Sequence, residues 1–544
     1  MGCPEIYDED VYDFILKNRE KYLGTQMIVP VCQIDIGEEF QILYTRSQDA
    51  ADLNIYHYTY SAIPTVYSPQ AENYMRESCI DRVKSDEVLG LNGNGVILGF
   101  VDSGIDLTDE QFQFLGGGSR VVTFWNQEEY LEVETTVPYG KIYTQQEINE
   151  GLNAGEQLPG DELGHGSYVA GIAAGTIGGI APQADIAVVK LKNCKNYLRD
   201  YYGIPQDKVC YQENDVMTGI KYLEDFAQER GKPLILCFCL GTNQGSHTGN
   251  SNLSQLMNRM TRESGKMVVC AAGNEALKRH HYQGQVMKQN DSEIVEIQVE
   301  EGQKGFMLEC WSQAPQGLSI DVISPSGERM EGVVARTAGQ TAFRFKVENT
   351  YVEQAVGLVT MEGGQQVICT RFENPTPGIW KLQVMGRTTT TGIYNMWLPL
   401  QEQMETETVF IRSEPYITIT EPGNASSILT VAAYNGQSGG VYIQSGRGFT
   451  ANNQIKPDIA APGSKIVSPY NQQVESSTSA AAGITAGAAA LYMQWAFYVR
   501  GDTVVTGVGL KYGLILGAKE SEGESYPNQQ LGYGKLCLFN TIRL

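Results

Sequence analysis

The 544-residue sequence has no long apolar run, either near its beginning or further along the chain. A transmembrane helix needs about 18 or more consecutive apolar residues, so the sequence predicts no membrane span. Residues 1–24 are acidic and lack the apolar centre of a secretory signal, so we expect no such signal there.

Basic residues are also few. The chain has 40 Lys and Arg residues against 63 Asp and Glu residues, which gives a formal net charge of −23. An acidic surface repels nucleic-acid phosphates and anionic lipids, and no Lys/Arg cluster makes a local exception. We therefore expect neither nucleic acid nor a membrane as a partner.

The 11 cysteines are odd in number and form no Cys-x-x-Cys motif. Cys237, Cys239 and Cys270 lie inside apolar runs, where cysteine behaves as a small buried hydrophobic residue. We expect a reduced interior, typical of a cytoplasmic or anaerobic protein, rather than a disulfide scaffold.

The composition is otherwise that of a folded protein. Hydrophobic residues make up 42% and charged residues 19%, which excludes general disorder. The length predicts about three to four domains, or one large α/β core with insertions. The 59 glycines and 20 prolines favour tight turns over a proline-rich spacer.

Apolar strand patterns alternate with helical patterns in two parts of the chain. Strands are predicted at 96–104, 184–192, 233–241 and 266–274, with amphipathic or small-residue helices between them. Alternation of buried strands and helices predicts a parallel sheet with crossover helices.

Two regions depart from that pattern. Residues 285–400 show short alternating strands and glycine-rich turns without a helical period, which predicts an antiparallel β-sandwich. The α/β pattern returns at 426–435, so the β-domain is predicted to be an insertion. Residues 1–70 show a helix-like start followed by strand-like runs.

Three residues have the chemistry of a nucleophilic site. His165 is one of only five histidines and lies at the start of a small-residue helix. Asp102 ends a buried parallel strand, and Ser479 stands where polar residues give way to a small, apolar helix. Singly, these residues suit a structural histidine, a turn and a helix cap. Together they suit a nucleophile, a base and an orienting carboxylate.

With their flanking segments, these residues resemble the subtilisin-like serine proteases (subtilases), in which the chain order is also Asp, His, Ser. The matching motifs are VDSGID (101–106), GHGSYVAGIAAG (164–175), GIAPQADIAVVKL (179–191), CLGTNQGSH (239–247), AAGNE (271–275), KPDIAAPG (456–463) and STSAAAG (477–483).

The resemblance implies a role for each matching residue. Ser479 attacks the scissile carbonyl, His165 transfers the proton and Asp102 orients the imidazole. Asn274 donates its amide to the oxyanion, with the Ser479 N–H as the second donor. Leu240 and Gly241 match the strand that pairs with extended substrate. No organic cofactor is required.

YSAIPTVYS (60–68) and AAGNEALKRHHYQG (271–284) further resemble the clostridial spore-germination (Csp-type) branch. That resemblance implies a β jelly-roll inserted between Asn274 and Ser479 and an N-terminal prodomain that the enzyme removes from itself. We therefore expect a subtilisin-like α/β fold with an inserted antiparallel sandwich and a short α+β prodomain. The predicted division is prodomain 1–70, catalytic domain 71–284 and 401–544, and inserted domain 285–400.

The sequence departs from the subtilase pattern at a few positions. Ser477 replaces the usual Gly before Thr-Ser, Gly483 replaces a Pro, and Ser167-Tyr168 replaces Thr-His. Ser477 would disturb the backbone if a positive φ were needed there. None of these departures removes a catalytic atom. A catalytically silent, pseudoprotease-like binding or signalling protein is one alternative, and a serine hydrolase of small esters is another.

Several weaker signals remain. Ser438 lies in a G-x-S-x-G pattern but without the strand, turn and helix that an esterase nucleophile requires. The pair His280–His281 has no neighbouring ligand cluster, so no metal site is predicted. Asp106, Asp109 and Glu110 could bind calcium or could simply be solvated.

Peptides or proteins are the expected substrates, the prodomain is the expected partner, and the expected location is cytoplasmic or spore-associated.

Overall fold

The computed structural model describes residues 4–17, 29–69, 76–86, 88–130, 137–334, 338–359, 364–388, 391–472 and 474–543. These residues form a large helix-flanked sheet, a sandwich of two antiparallel sheets and a small N-terminal sheet.

The N-terminal sheet contains β1 (Val11–Lys17), β2 (Cys32–Ile36) and β3 (Phe40–Arg46) in the order β1-β3-β2, with antiparallel pairing. The expected helix-like start is wrong for residues 4–17, which form a 3₁₀ turn and β1. Most β1 residues are buried, so the alternation that marks a strand is lost from the sequence. Residues 18–28 lie outside the described part of the chain.

The large sheet has the order β25-β24-β12-β10-β5-β8-β6-β7, and every adjacent pair is parallel except β6–β7. The predicted parallel sheet is confirmed by its strands, which are buried almost throughout except for the edge strand β7. They are β5 (Ile97–Asp102), β6 (Val121–Asn126), β7 (Lys141–Thr144), β8 (Asp185–Lys190), β10 (Leu234–Phe238), β12 (Lys266–Ala271), β24 (Leu429–Tyr434) and β25 (Ile459–Pro462).

Nine α-helices occur in the described residues. They are α1 (Ile80–Lys84), α2 (Gln145–Ala154), α3 (His165–Ala174), α4 (Asn196–Tyr202), α5 (Glu213–Arg230), α6 (Asn252–Arg262), α7 (Thr478–Gln494), α8 (Gly507–Leu516) and α9 (Leu538–Ile542). Helix α3 is fully buried and α7 almost fully, and both consist mainly of small residues. Small side chains let two helices approach closely, and α3 and α7 pack against each other on one face of the sheet.

Five short strands complete the region around the large sheet. Strand β4 (Val66–Pro69) pairs on one side with β9 (Tyr211–Gln212) and on the other with β11 (Leu240–Gly241). Strands β26 (Ser464–Val467) and β27 (Val474–Ser476) form a hairpin just before α7.

The inserted region is a β-sandwich, as its alternating pattern predicts. One sheet has the order β13-β22-β15-β20-β19-β18 and the other β17-β16-β21-β14-β23. Their apolar inner faces form a separate core that includes Ile297, Phe306, Ile320 and Trp380. The strands are β13 (His281–Gln285), β14 (Ser292–Val299), β15 (Gly305–Gln313), β16 (Gly317–Ile323), β17 (Arg329–Met330), β18 (Ala338–Arg344), β19 (Tyr351–Val359), β20 (Gln365–Glu373), β21 (Gly378–Thr388), β22 (Ile393–Trp397) and β23 (Thr408–Phe410).

The cysteines differ in part from the expectation. Cys237, Cys239 and Cys270 are buried thiols, as predicted. Cys79 and Cys537, however, form a disulfide with Cα atoms 4.9 Å apart, which contradicts a wholly reduced protein. The two residues stand directly before α1 and α9, which pack together from opposite ends of the chain. Sequence spacing cannot reveal such a pair.

None of the described helices is both long enough and apolar enough to cross a bilayer.

Candidate active site

The structure brings Asp102, His165 and Ser479 together from three separate elements. Asp102 ends β5, His165 begins α3, and Ser479 lies in the first turn of α7. His165 Nδ1 is 2.7 Å from Asp102 Oδ1, and His165 Nε2 is 3.4 Å from Ser479 Oγ. Because all three side chains are at most 6% exposed, water scarcely competes for these contacts.

Two residues that sequence reasoning missed hold the acid and the histidine in place. The backbone N–H of Ser103 donates to Asp102 Oδ1 at 2.7 Å, and Ser103 Oγ accepts the Gly166 N–H at 3.0 Å. Asp161 accepts the N–H groups of Gly164 and Ser167 and so caps the beginning of α3. An acidic residue just before a helix start is a capping signal that could have identified Asp161.

Gly166 allows the close approach of α3 to the turn after β5. A Cβ atom there would lie 2.2 Å from the Gly104 carbonyl oxygen and 3.2 Å from Asp102 Cβ. Any side chain would therefore push His165 away from Asp102. Packing beside the histidine explains why a glycine follows it in the motif.

Asn274 lies in the loop after β12 and faces the beginning of α7. Its Oδ1 accepts the Thr478 N–H at 3.0 Å and the Thr478 hydroxyl at 3.3 Å. The N–H of Gly273 in turn donates to Thr478 Oγ1 at 3.0 Å. Because Oδ1 accepts from Thr478, these contacts assign the Nδ2 donor to the opposite end of the Asn274 amide.

Ser477 is the N-cap of α7. Its φ is −168°, so the backbone is extended and needs no glycine, which removes the concern about strain at this position. Its Oγ accepts the Ser479 N–H at 3.0 Å.

Leu240 and Gly241, the expected substrate-binding residues, form β11. They pair antiparallel with Pro69 and Ser68 of β4, while Val66 and Tyr67 of β4 pair with β9. A segment of the chain itself therefore lies as the central strand of this small sheet. Cys239, directly before β11, donates its Sγ–H to the Ser479 carbonyl oxygen at 3.6 Å, so the sheet adjoins the nucleophile.

Two buried carboxyl groups lie next to this small sheet. Glu213 accepts the N–H groups of Leu253 and Thr65, and Glu421 accepts the Gly249 N–H and the Ser254 hydroxyl. Desolvation by burial raises the pKa of each carboxyl to about 7. Neither was singled out from the sequence, because no local motif marks a buried acid.

The weaker sequence signals lie elsewhere. The Ser438 N–H donates to Asn435 Oδ1 in an exposed turn. Asp106 accepts the N–H and hydroxyl of Thr108, and Asp109 caps a 3₁₀ turn through the Gln111 N–H.

The adjacent histidines have separate partners. His280 Nδ1 is 2.6 Å from Glu275 Oε2, and His281 Nε2 is 3.0 Å from Asn395 Oδ1. Over the ranges that the structure describes, no group of three or more His, Cys, Asp or Glu side chains is arranged to hold a metal ion.

Comparison with known proteins agrees with this geometry. The family model of the subtilase family matches residues 93–300 and 412–534, which include Asp102, His165, Asn274 and Ser479. Among solved structures, the chain is similar to the Clostridium perfringens CspB protease, with 29% identity and a TM-score of 0.74 over 86% of this chain and 98% of that one.

Two further similarities are weaker. A cold adapted subtilisin-like serine proteinase is 15% identical with a TM-score of 0.38, over 82% of this chain and 90% of its own. The Prenylagaramide maturation protease PagA is 14% identical with a TM-score of 0.40, over 82% of this chain and 93% of its own. The family match covers more than half of the sequence, and the similarity to CspB agrees with the Csp-type branch. The chain belongs to the subtilase family and is a subtilisin-like serine peptidase, an enzyme that acts on peptide or protein substrates.

Proposed function

We propose that the protein is an endopeptidase that hydrolyses peptide bonds through an acyl-enzyme on Ser479. The observation that carries this proposal is the contact of His165 with both Asp102 and Ser479, at 2.7 Å and 3.4 Å. Hydrogen bonds of this kind are often long without substrate and shorten in the reactive complex.

In the proposed mechanism, Ser479 Oγ attacks the scissile carbonyl while His165 Nε2 takes its proton. His165 then gives that proton to the leaving amine, and water repeats the sequence to release the acyl group. Asp102 accepts the Nδ1–H bond of His165 and stabilises the charged imidazole between the two steps. The negative oxygen of each tetrahedral intermediate is stabilised by the Asn274 side-chain amide and the Ser479 N–H.

The enzyme also removes its own N-terminal segment in this proposal. Strand β4 runs antiparallel to β11 and ends at Pro69, opposite Leu240. Because Cys239 precedes Leu240 and contacts Ser479, Pro69 lies at the end of the β4–β11 pair that adjoins the nucleophile. We therefore propose cleavage within a residue or two after Pro69.

The N-terminal unit is proposed to remain bound after cleavage. The Asp13 carboxylate is fully buried and accepts hydrogen bonds from Lys195 Nζ at 2.7 Å, Gln212 Nε2 at 2.7 Å and Asn214 Nδ2 at 3.0 Å. Tyr60 donates its hydroxyl to Glu309 of the sandwich. Contacts to both other parts of the molecule support a non-covalent prodomain partner.

The test compares wild type with Ser479→Ala, each by intact mass before and after a fluorophosphonate probe. Ser438→Ala is the matched control, because this hydroxyl lies in a G-x-S-x-G pattern remote from α7. Wild type and Ser438→Ala are expected to lose a fragment ending near Pro69 and to take up one probe, whereas Ser479→Ala does neither.

Three outcomes contradict the proposal. If the Ser479→Ala protein is cleaved and labelled like wild type, the nucleophile is wrong. If wild type stays at 59.9 kDa and takes up no probe, the chain is a silent, pseudoprotease-like protein under those conditions. Cleavage of simple esters without cleavage of casein or of its own chain favours the small-ester alternative.

A further inference from the structure

The first backbone N–H groups of α7 are directed at side chains rather than into the helix. An α-helix leaves its first four N–H groups without intrahelical partners, so they are available for capping or for an anion. The Thr478 N–H donates to Asn274 Oδ1, and the Ser479 N–H donates to Ser477 Oγ at 3.0 Å. Ser477 itself is only 1% exposed.

The second of these contacts uses a donor that the chemistry also needs. A tetrahedral intermediate on Ser479 carries its negative oxygen beside the Ser479 N–H. A glycine in place of Ser477 would have no side chain that could accept this hydrogen bond.

We propose that Ser477 is a positioning residue that competes with the substrate oxyanion for the Ser479 N–H and so slows acylation. This inference rests on the proposed function. In the resting enzyme the Ser477 hydroxyl accepts the Ser479 N–H. The developing oxyanion is fully stabilised by that N–H only when this hydrogen bond lengthens or the Ser477 side chain rotates away. The Asn274 oxygen accepts from Thr478, so the proposed competition concerns the Ser479 N–H.

The size of the effect follows from the strength of one hydrogen bond. Loss of a neutral hydrogen bond that competes with the transition state raises the rate by about twofold to twelvefold. The Ser477 hydroxyl and the substrate oxygen compete most strongly when negative charge develops on the substrate oxygen. Removing the hydroxyl is therefore expected to change the rate of acylation and not the binding of substrate in the ground state.

The experiment measures two rates in Ser477→Gly and Ser477→Ala. One is the first-order rate of self-cleavage of freshly translated full-length chain, and the other is the rate of labelling by a fluorophosphonate, whose phosphoryl oxygen occupies the same position. Both rates are expected to rise about twofold to twelvefold. Ser477→Thr, which retains a hydroxyl, is expected to be accelerated less than Ser477→Ala.

Ser476→Ala is the matched control. The Ser476 hydroxyl accepts the Lys465 N–H and lies 3.3 Å from the Ser464 hydroxyl within the β26–β27 hairpin, so its removal is expected to leave both rates unchanged. The thermal midpoint separates the proposal from a purely structural role. Loss of the N-cap lowers the midpoint of the Ser477 variants, and a purely structural role would lower activity as well. Faster chemistry in a less stable protein is specific to the proposal.

Unchanged or slower rates in both folded Ser477 variants overturn the inference, and slower rates assign the hydroxyl as an oxyanion donor instead. The Ser479→Ala protein distinguishes this failure from failure of the proposed function. If Ser479→Ala is inert while the Ser477 variants are not accelerated, only the role of Ser477 is wrong. If Ser479→Ala is processed and labelled like wild type, the proposed nucleophile is wrong.

Discussion

The imidazole of His247 lies flat against the indole of Trp397, with ring centroids 4.1 Å apart and an interplanar angle of 4°. His281 also stacks on Trp397, at 5.0 Å. His247 follows β11 of the catalytic region, whereas Trp397 and His281 belong to β22 and β13 of the sandwich. His281 of the His280–His281 pair therefore contributes to the interface between the two regions. The sequence pattern around the pair does not reveal this role.

The buried histidines at this interface predict that the folded protein loses stability in acid. Burial lowers the pKa of His247 to about 3 and that of His281 to about 4, from the ordinary value near 6.5. Between about pH 6.5 and 4 the unfolded chain binds protons that the folded chain does not, so these groups reduce stability as the pH falls. Replacing His281 with Phe removes one such group while keeping a ring against Trp397. When the pH falls from 7 to 4.5, the free energy of unfolding of the variant is expected to decrease by about 2 kcal/mol less than that of wild type.

The measurement is the free energy of unfolding by urea across that pH range. Glu213 and Glu421 have raised pKa values and act in the opposite direction. In the folded protein both carboxyls are protonated at low pH, and the stability that this protonation gives is lost as the pH rises towards 7. They are present in both proteins, so the difference between the two curves isolates His281. Parallel curves would contradict the prediction.

Asn274→Ala is expected to lower kcat by about 100- to 1,000-fold with little change in KM, because the amide acts on charge that develops only in the transition state. The check is steady-state kinetics on a peptide substrate, with the rate of self-cleavage as a second readout. Thermal unfolding serves as the control, because Asn274 also holds the Thr478 N–H. A variant that folds and retains wild-type kcat would rule out Asn274 as an oxyanion donor.

Asp13→Asn is expected to weaken retention of the cleaved prodomain. The substitution leaves Lys195 buried without the carboxylate that pairs with it at 2.7 Å. Breaking one side of a buried ion pair typically costs about 3 kcal/mol or more, which corresponds to roughly a 100-fold higher dissociation constant. Gel filtration of the processed protein after serial dilution reports this change. Asp49→Asn, at an exposed position of the same unit, is the control and should match wild type.

The disulfide between Cys79 and Cys537 is expected to stabilise the catalytic region by about 2–4 kcal/mol, because it links residues 458 positions apart and restricts the unfolded chain. The double variant Cys79→Ser, Cys537→Ser should unfold at a lower temperature than wild type. A reducing agent should lower the midpoint of wild type far more than that of the double variant. Equal midpoints for the oxidised wild type and the double variant would show that the bond adds nothing to stability.

Much of the fold could be read from local patterns. Strands such as Leu234–Phe238 are fully apolar, and α5 has an amphipathic period, so each type of element is visible in a short window. Short motifs around Asp102, His165 and Ser479 predicted the three residues that the structure brings together. The start of the chain was misread because β1 is buried on both faces and loses its alternation.

Other features depend on pairs of residues that are distant in the chain. Neither the contact of β4 with β11, nor the Cys79–Cys537 bond, nor the stack on Trp397 has a local signature. Each becomes visible only when separate elements are packed together.

By itself, the sequence determined the parallel sheet and the β-sandwich and marked Asp102, His165 and Ser479 as candidates for a nucleophilic site, because apolar periodicity and reactive side chains are local properties. The tertiary structure alone decided that β4 lies between β9 and β11, that Asp13 meets Lys195 and that Ser477 accepts the Ser479 N–H. Those contacts depend on distances of about 3 Å between groups, and only the packing of the complete core sets distances on that scale.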